Sequence, residues 1–481
     1  MAWHSACSAS VDVSLMHFRM KGLSGLLGRG ESIRRVRSWG WCAARMYPEP
    51  NRGSLRRRSR SCRSLWNAAA CGLFCLASAG SVPAQMPPAP ASIQGTQAGW
   101  SMPSAIPGVP IGSALKWPSI SQFGDTVYVA GNVLPTTRLR SGPHPMTILR
   151  IPGRPLQLPT GNFEFAYPKG VFDSKGAYHL VWGEPVHPDS ATWRYGAHIS
   201  SLWHAVFKND RWTEPVKIAD AISIHWDTEQ GAIATDSKNR VHVISPAETR
   251  PGPAVLLHTW ETGSGWSNLE IPWLTAYASM VVWRGDSIVV CFAGENPSHS
   301  TGAHNLFITM SGDGGLHWSV PQPLNPGDGG VAVAPIVLVA GNELHVVSGQ
   351  TAPGRLSSSM LKHWRRQAGG RGWDPLPSVA LTRAQVIRFV AAGVRCGVVE
   401  AAVESLVGAG DSLRIVVDEA RWAGDNASAT QLFPDFRNAT SVALLGVGNR
   451  FRLVAAVANP PAVSVGAVTA TQDACSDDQR Q

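Results

Sequence analysis

Four tryptophans, Trp212, Trp266, Trp318 and Trp373, stand 54, 52 and 55 residues apart, each just after a glycine-rich or charged turn. A fixed period of this length means that one supersecondary unit is repeated along the chain. A second marker interleaves with the first, an extended apolar segment opened by a short polar turn. It recurs as Gly124-Asp125 before VYVAGN, Ser174-Lys175-Gly176 before AYHLVWGEP, Ser237-Lys238-Asn239 before RVHVISPAE, and Gly285-Asp286 before SIVVCFAGEN. It continues as Gly341-Asn342 before ELHVVSGQ, Gly410-Asp411 before SLRIVVDEA, and Gly448-Asn449 before RFRLVAAVAN. Turn residues that tolerate positive φ, flanked by β-branched and aromatic residues, specify hairpins. Each unit therefore holds two hairpins, or four strands, with almost no helical periodicity between them.

Such units predict an all-β chain folded as a β-propeller of four-stranded blades. No blade can bury its own faces, so neighbours must pack together, the repeated Trp filling the space between them. A pair of β-sandwiches would impose no fixed Trp period. One turn is sharper than the rest. Ser311-Gly-Asp313-Gly-Gly315-Leu-His-Trp318 matches the pattern S-x-D-x-G-x-x-W at every defined position. There Asp313 can accept bonds from turn amides, Gly315 can take positive φ, and Trp318 can anchor the turn. The turns at 208–212, 263–266 and 369–373 look like degenerate copies, and together they cover most of residues 115–470. On these residues the chain resembles the sialidase (neuraminidase) superfamily of Asp-box, or BNR-repeat, propellers. The resemblance implies that Ser311, Asp313, Gly315 and Trp318 are structural and lie away from the catalytic face. It implies six blades, whereas the hairpins number seven; six is favoured and seven stays open.

Charge is concentrated in a leader. Residues 1–84 carry 13 Lys+Arg against 3 Asp+Glu, leaving 29 basic and 30 acidic residues for 85–481 out of totals of 42 and 33. The body is near neutral, so the basic excess does not mark a nucleic-acid surface. Arg56, Arg57, Arg58, Arg60 and Arg63 precede an apolar run from Leu65 to Ala79 and then Val82-Pro83-Ala84. That order predicts a signal peptide cleaved after Ala84 and export to the periplasm or the medium. Met46 is a more natural start than Met1. The domain reading is leader 1–84, linker 85–114, propeller 115–470 and disordered tail 471–481, with no membrane span in the mature, monomeric chain. Cys291, Cys396 and Cys475 remain in the mature part, an odd number, so at most one disulfide forms. Cys291 sits in an apolar strand as a small buried residue. With no CxxC pair and no HExxH, neither a metal nor another cofactor is indicated.

In propellers of the resembled kind, the functional face is built by the loops between second and third strands and those entering each first strand. Here these loops hold Glu164, Tyr167, Glu184, His187, Arg194, Tyr195, His225, Asp227, Glu229, Glu248, Arg250, Tyr277, Glu295, His299, His304 and Arg355. The resemblance implies three arginines gripping a substrate carboxylate, a Tyr nucleophile activated by Glu, and an Asp acid/base. Arginine suits a carboxylate because its planar fork binds both oxygens. Leu149-Arg150-Ile151-Pro152 is similar to that family's arginine-bearing F/Y-R-I-P motif, without the aromatic residue and after the first hairpin. His225, Asp227 and Glu229 alternate in one extended stretch and so share a face. The second strands are read as ending in an acid or its amide at Glu184, Glu248, Glu295, Gln350 and Glu419, a recurrence that suits a shared structural job or a ring binding sugar hydroxyls.

The resulting expectation is an exported propeller acting on carbohydrate. A sialidase-type exo-glycosidase ranks first, a non-catalytic glycan-binding propeller second and a polysaccharide lyase third. The site set is Asp227 as acid/base, Tyr195 as nucleophile, Glu229 and His225 beside them, with Arg194, Arg250, Glu184, Glu248 and Arg150 for substrate.

Overall fold

The computed structural model describes residues 104–106, 109, 113–135, 145–151, 153–159, 167–185, 199–226, 230–295, 305–325, 331–351, 359–370, 372–381, 386–395, 397–408, 414–423, 426–432, 439–447, 450–457 and 467–471. The leader, its cleavage point and the C-terminal tail beyond Thr471 lie outside the described residues, as do Cys396 and Cys475. Within them every regular element is a strand.

β1 (Ser104–Ala105) is followed by an antiparallel meander of β2 (Ser113–Phe123), β3 (Thr126–Pro135) and β4 (Met146–Ile151). The next comprises β5 (Lys169–Phe172), β6 (Tyr178–Pro185), β7 (Ile199–Lys208) and β8 (Arg211–Trp212), with β9 (Val216–Ile224) also laid against β7. β10 (Ala232–Thr235), β11 (Val241–Glu248) and β12 (Val255–Thr262) then pair in turn, and β12 pairs with the first half of β13 (Gly265–Trp283). The second half of that long strand opens a meander with β14 (Ser287–Glu295), β15 (Asn305–Ser311) and β16 (Gln322–Pro323). β17 (Val331–Ala340), β18 (Glu343–Thr351), β19 (Ser359–Arg366) and β20 (Asp374–Leu381) form one four-stranded sheet. β21 (Val386–Arg395), β22 (Val398–Val407), β23 (Arg414–Ala423) and β24 (Asn426–Leu432) form another. The last sheet contains β25 (Ala439–Val447), β26 (Arg450–Val457) and β27 (Ala467–Thr471), and β1 from the start of the chain is its fourth strand, with Ser104 opposite Thr469. Residues 85–114, read from the sequence as linker, thus supply β1 and the first residues of β2.

The first strands touch one another in order. β2 meets β5, β5 meets β10, β10 meets β13, and the series runs on through β17, β21 and β25, which meets β2. Meanders that radiate from contacting first strands make a β-propeller. Burial follows from that placement. The second strand of a blade has neighbouring blades on both faces, so β14 reads SIVVCFAGE and is buried at all but its first residue. The fourth strand lies at the rim, and β20, DPLPSVAL, is mostly exposed and carries Pro375 and Pro377, which blunt an open edge.

The core is a set of layers between blades. Ile244, Leu256 and Ile271 pack against Met280, Ile288, Phe292 and Phe307 of the next blade, and Trp283, Val289 and Ile308 pack against Val337, Val346 and Trp364 of the one after. The period-marking tryptophans do part of this filling. Trp266 meets the ring of His204, and Trp318 that of His258, each in the preceding blade. Cys291 is fully buried, and that burial pushes its thiol pKa up, away from reactivity.

Turn chemistry joins the strands. In the 311–318 turn, Asp313 Oδ1 accepts Ser311 Oγ at 2.8 Å and the backbone N–H of His317 at 3.0 Å, Gly315 stands at φ 89°, and Trp318 Nε1 donates to Gly315 O at 3.1 Å. Between first and second strands, Asp173 Oδ1 accepts the N–H groups of Lys175 and Ala177, and Asp236 Oδ1 those of Lys238 and Arg240.

Candidate functional site

At the entrance of the first strands the backbone departs from regular pairing. The register shifts between Lys116 and Ser119 in β2, Thr275 and Tyr277 in β13, Val333 and Ile336 in β17, Ile387 and Phe389 in β21, and Thr440 and Ala443 in β25. A bulge re-aims a side chain and is over-represented beside functional sites. Three residues here precede proline and hold positive φ: Trp117 at 52°, Tyr167 at 44° and Ala334 at 45°. For non-glycine residues such a conformation costs about 1–3 kcal/mol each and persists only where the surroundings over-determine it.

Two of these bulges bring charge together across the ring. Arg388 of β21 places Nη1 3.0 Å from Glu404 Oε1 of β22, whose side chain is fully buried. Lys116 of β2 lies within electrostatic reach of both. Burial lowers its pKa to about 8, Glu404 acting to raise it and Arg388 to lower it further. A carboxylate so deeply buried must be compensated, and Arg388, with Lys116 in electrostatic reach, contributes to that compensation.

Trp117, next in sequence to Lys116, lines a cavity of about 440 Å³ bounded by β2, β5, β10 and β25, together with Tyr167, Lys169, Ile233 and Leu445 among others. The Trp117 and Tyr167 rings meet edge to face with centroids 4.5 Å apart. Lys169 Nζ stands 5.1 Å from the ring centroid of Trp226, within cation–π range. The first-strand entrances thus carry the aromatic residues Trp117 and Tyr167 and the cations Lys116, Lys169 and Arg388.

The residues at the ends of second strands do structural work. Glu184 Oε2 accepts Trp203 Nε1 at 2.7 Å and Ser201 Oγ at 3.2 Å. Asn132 Oδ1 accepts the N–H of Tyr167, tying one blade to the next at 3.2 Å. Glu248 faces His225 at 3.7 Å, and Glu295 and Gln350 are buried. Glu419 corrects the sequence reading: it lies on β23, a third strand, and the second strand of that blade carries Glu400 and, nearer its end, Glu404. The first-to-second-strand turn of that blade is at Gly397, between β21 and β22.

The remaining expected residues separate. Arg150 lies on β4, a third strand, opposite Tyr128, and lines a cleft with Arg154, Arg211 and Trp212. Arg250 follows β11, is largely exposed and pairs with Glu270 at 3.9 Å. His225 and Glu248 are together, but Asp227, Glu229, Arg194 and Tyr195 lie outside the described residues, as do Glu164, His187, His299, His304 and Arg355. Tyr277 is partly buried in an inter-blade layer, and Tyr128 and Tyr178 are core residues with centroids 4.7 Å apart.

Sequence reasoning missed Lys116, Lys169, Arg388 and Glu404. Trp117-Pro118, Tyr167-Pro168 and Ala334-Pro335 repeat at first-strand entrances, and this X-Pro signal would have drawn attention to the lysines flanking the first two.

No family model matches the chain, and no curated protein matches it. Solved structures are similar at low identity. A protein of unknown function from Dyadobacter fermentans has a TM-score of 0.46 at 10% identity, covering 78% of this chain and 99% of that one. An ulvan lyase described as a new family of polysaccharide lyase has a TM-score of 0.46 at 12% identity, covering 78% and 95%. An α-L-arabinanase from Penicillium chrysogenum has a TM-score of 0.39 at 10% identity, covering 64% and 93%. Likenesses this distant transfer no activity.

Proposed function

We propose that the protein is an exported, monomeric β-propeller that binds an acidic saccharide at the mouth of its central channel and acts on it there. The observation that carries this reading is the convergence of Lys116 and Arg388 on buried Glu404, beside the Trp117–Tyr167 aromatic pair. Cations answer a carboxylate or sulfate, and aromatic faces answer a sugar ring. The cyclic order of first-strand contacts, and β1 completing the last sheet, support seven blades rather than the six favoured by family resemblance. Export after cleavage at Ala84 is part of the proposal, and a secreted protein beginning at Gln85 is its expected mark.

The chemistry ranked first is sialidase-type hydrolysis. Asp227 is then the acid/base, Tyr195 the nucleophile activated by Glu229, and Arg194 and Arg250 hold the carboxylate, with His225, Glu248 and Glu184 at the rim. Asp227→Ala should lower turnover of a sialoside by roughly 100-fold, the usual scale for a general acid. A second reading, β-elimination from a uronate, is favoured by Lys116. With its pKa near 8 it can take the proton next to the carboxylate as the adjacent C–O bond breaks, while Arg388 offsets the developing charge.

The test is to titrate the full-length mature protein with a sialoside, a polyuronate oligosaccharide and a neutral glucan, and to analyse the products. Loss in Lys116→Met of one class of acidic-sugar binding sites, or of turnover, supports the site. A free sugar product marks hydrolysis, an unsaturated uronate marks elimination, and unchanged ligand marks a binding module. Equal affinity for the neutral glucan would overturn the reading.

A further inference from the structure

A second concave site lies away from the channel mouth. A cleft of about 720 Å³, within the usual 300–1,000 Å³ range of ligand sites, is formed where β4 and the segment that follows it meet β8 of the next blade. Its rim carries Arg150, Arg154 and Arg211 together with two acids, Asp210 and Glu214, and Trp212 and Phe207 contribute aromatic lining. Arg150 stands one residue from the end of β4, opposite Tyr128, whereas Lys116 pairs with Asn132 at the far end of β3, so the cleft and the charged cluster occupy opposite ends of the blade.

We infer that this cleft is an independent binding site for an acidic oligosaccharide. Each of the three arginines is exposed, and none has an ion-pair partner among the described residues. Exposed arginines are common, but these come from two blades and face one aromatic-lined hollow. Trp212 is held in place, its Nε1 donating to Gln157 O at 2.6 Å and its ring packing on Phe207 with centroids 5.1 Å apart. A fixed aromatic loses little freedom on binding and can stack on a sugar ring. Guanidinium forks bind a carboxylate or sulfate through both oxygens, and Glu214 offers an acceptor for hydroxyls. A bare phosphate would use the arginines alone; a saccharide with oxyanion substituents uses the whole set. On one polysaccharide chain, such a site would raise the effective concentration of sugar at the channel.

The inference stands apart from the channel reading, and the experiment keeps them apart. Binding of carboxylated and sulfated oligosaccharides is measured by calorimetry in the Lys116→Met protein, alone and combined with Arg150→Ser and Arg211→Ser. Retention in Lys116→Met and a loss of about tenfold or more on adding the arginine changes is expected, the scale of losing charge-assisted bonds. The stronger ligand of the two identifies the oxyanion. Arg211→Lys should also weaken binding, because it keeps the charge and loses the fork. Unchanged affinity in the arginine variant, loss of all binding in Lys116→Met alone, or equal displacement by inorganic sulfate would overturn the cleft. Since the arginines are exposed, their replacement leaves the core and the melting temperature intact.

Discussion

His242 Nδ1 and His258 Nε2 lie 3.2 Å apart with their rings only 5° from parallel, and neither residue has any exposed surface. The pair recurs as His179 with His204 at 3.1 Å and as His345 with His363 at 2.9 Å. In each pair the first His comes from a second strand and the second from a third strand. An acid stands behind the first ring, Asp173, Asp236 or Glu343, and a tryptophan of the following blade meets the second, Trp266, Trp318 or Trp422. One ring must donate and the other accept, so at least one imidazole of each pair must be neutral. Burial lowers the pKa of His204, His258 and His363 to about 3, the partner histidine adding to the effect.

Acid sensitivity follows. Unfolded histidines take up protons near pH 6.5, whereas the folded ones resist until about 3. Between these values the unfolded state binds more protons, so stability falls as pH falls. The slope is at most about 1.4 kcal/mol per pH unit for each such histidine. Asp173, Asp236 and Glu343 moderate the effect at the first ring, while Arg240 and Arg365 oppose protonation. Thermal melts should show a midpoint dropping steadily between about pH 6.5 and 4, and His258→Asn should flatten that limb. A midpoint unchanged across the range would contradict the neutral pairs.

The turn carboxylates should rank by burial, not by motif. Asp236 has no side-chain exposure, accepts the N–H groups of Lys238 and Arg240, bonds Arg240 Nε at 2.6 Å and approaches His242. Burial works against its charge, but the bonds from Arg240 and His242 hold its pKa below the ordinary carboxylate value. Asp236→Ala leaves the turn N–H donors unpaired and Arg240 with only the more distant Asp286 at 3.7 Å, and should cost about 3 kcal/mol. Asp313 is substantially exposed, so Asp313→Ala should cost only about 1 kcal/mol. Denaturant titration of the two variants checks the order, and equal losses would refute it.

Gly315 is irreplaceable for two independent reasons. It stands at φ 89°, and a Cβ there would collide with the imidazole of His258. Gly315→Ala should therefore destabilise by more than the roughly 1 kcal/mol typical of glycine replacement at positive φ alone, because the His258–Trp318 contact must also move. A loss no larger than that would show that the ring can yield.

The architecture was legible because blade packing leaves a periodic mark: Trp266 and Trp318 each fill an inter-blade gap, and second strands such as β14 must be apolar throughout. The histidine pairs were visible in AYHLV, RVHVI and ELHVV but carried no meaning until strand pairing put a second ring beside each. Glu419 was misplaced because Gly410-Asp411 carries the same turn chemistry as a true first-to-second-strand turn. The charged cluster was not legible at all, since Lys116 and Arg388 are joined only by the ring of first strands. Arg150 stood out through a short motif, and strand order puts it on β4.

Lys116 gives the channel mouth a pH dependence of its own. Its pKa is near 8, lowered chiefly by burial, and Glu404 acts to hold the proton on. As pH rises through that value the cluster loses a positive charge, so affinity for an acidic saccharide should fall, by about tenfold for a loss of 1.4 kcal/mol. In Glu404→Gln the carboxylate that favoured the protonated amine is gone, so the fall should begin at lower pH. In Lys116→Arg the charge persists throughout the range and the fall should vanish. Calorimetric affinities from about pH 6 to 9.5 for the three proteins decide the matter, the interval spanning both sides of the lysine's transition. Wild-type affinity that stays flat to the upper limit, or a break that survives in Lys116→Arg, would remove Lys116 from the binding site.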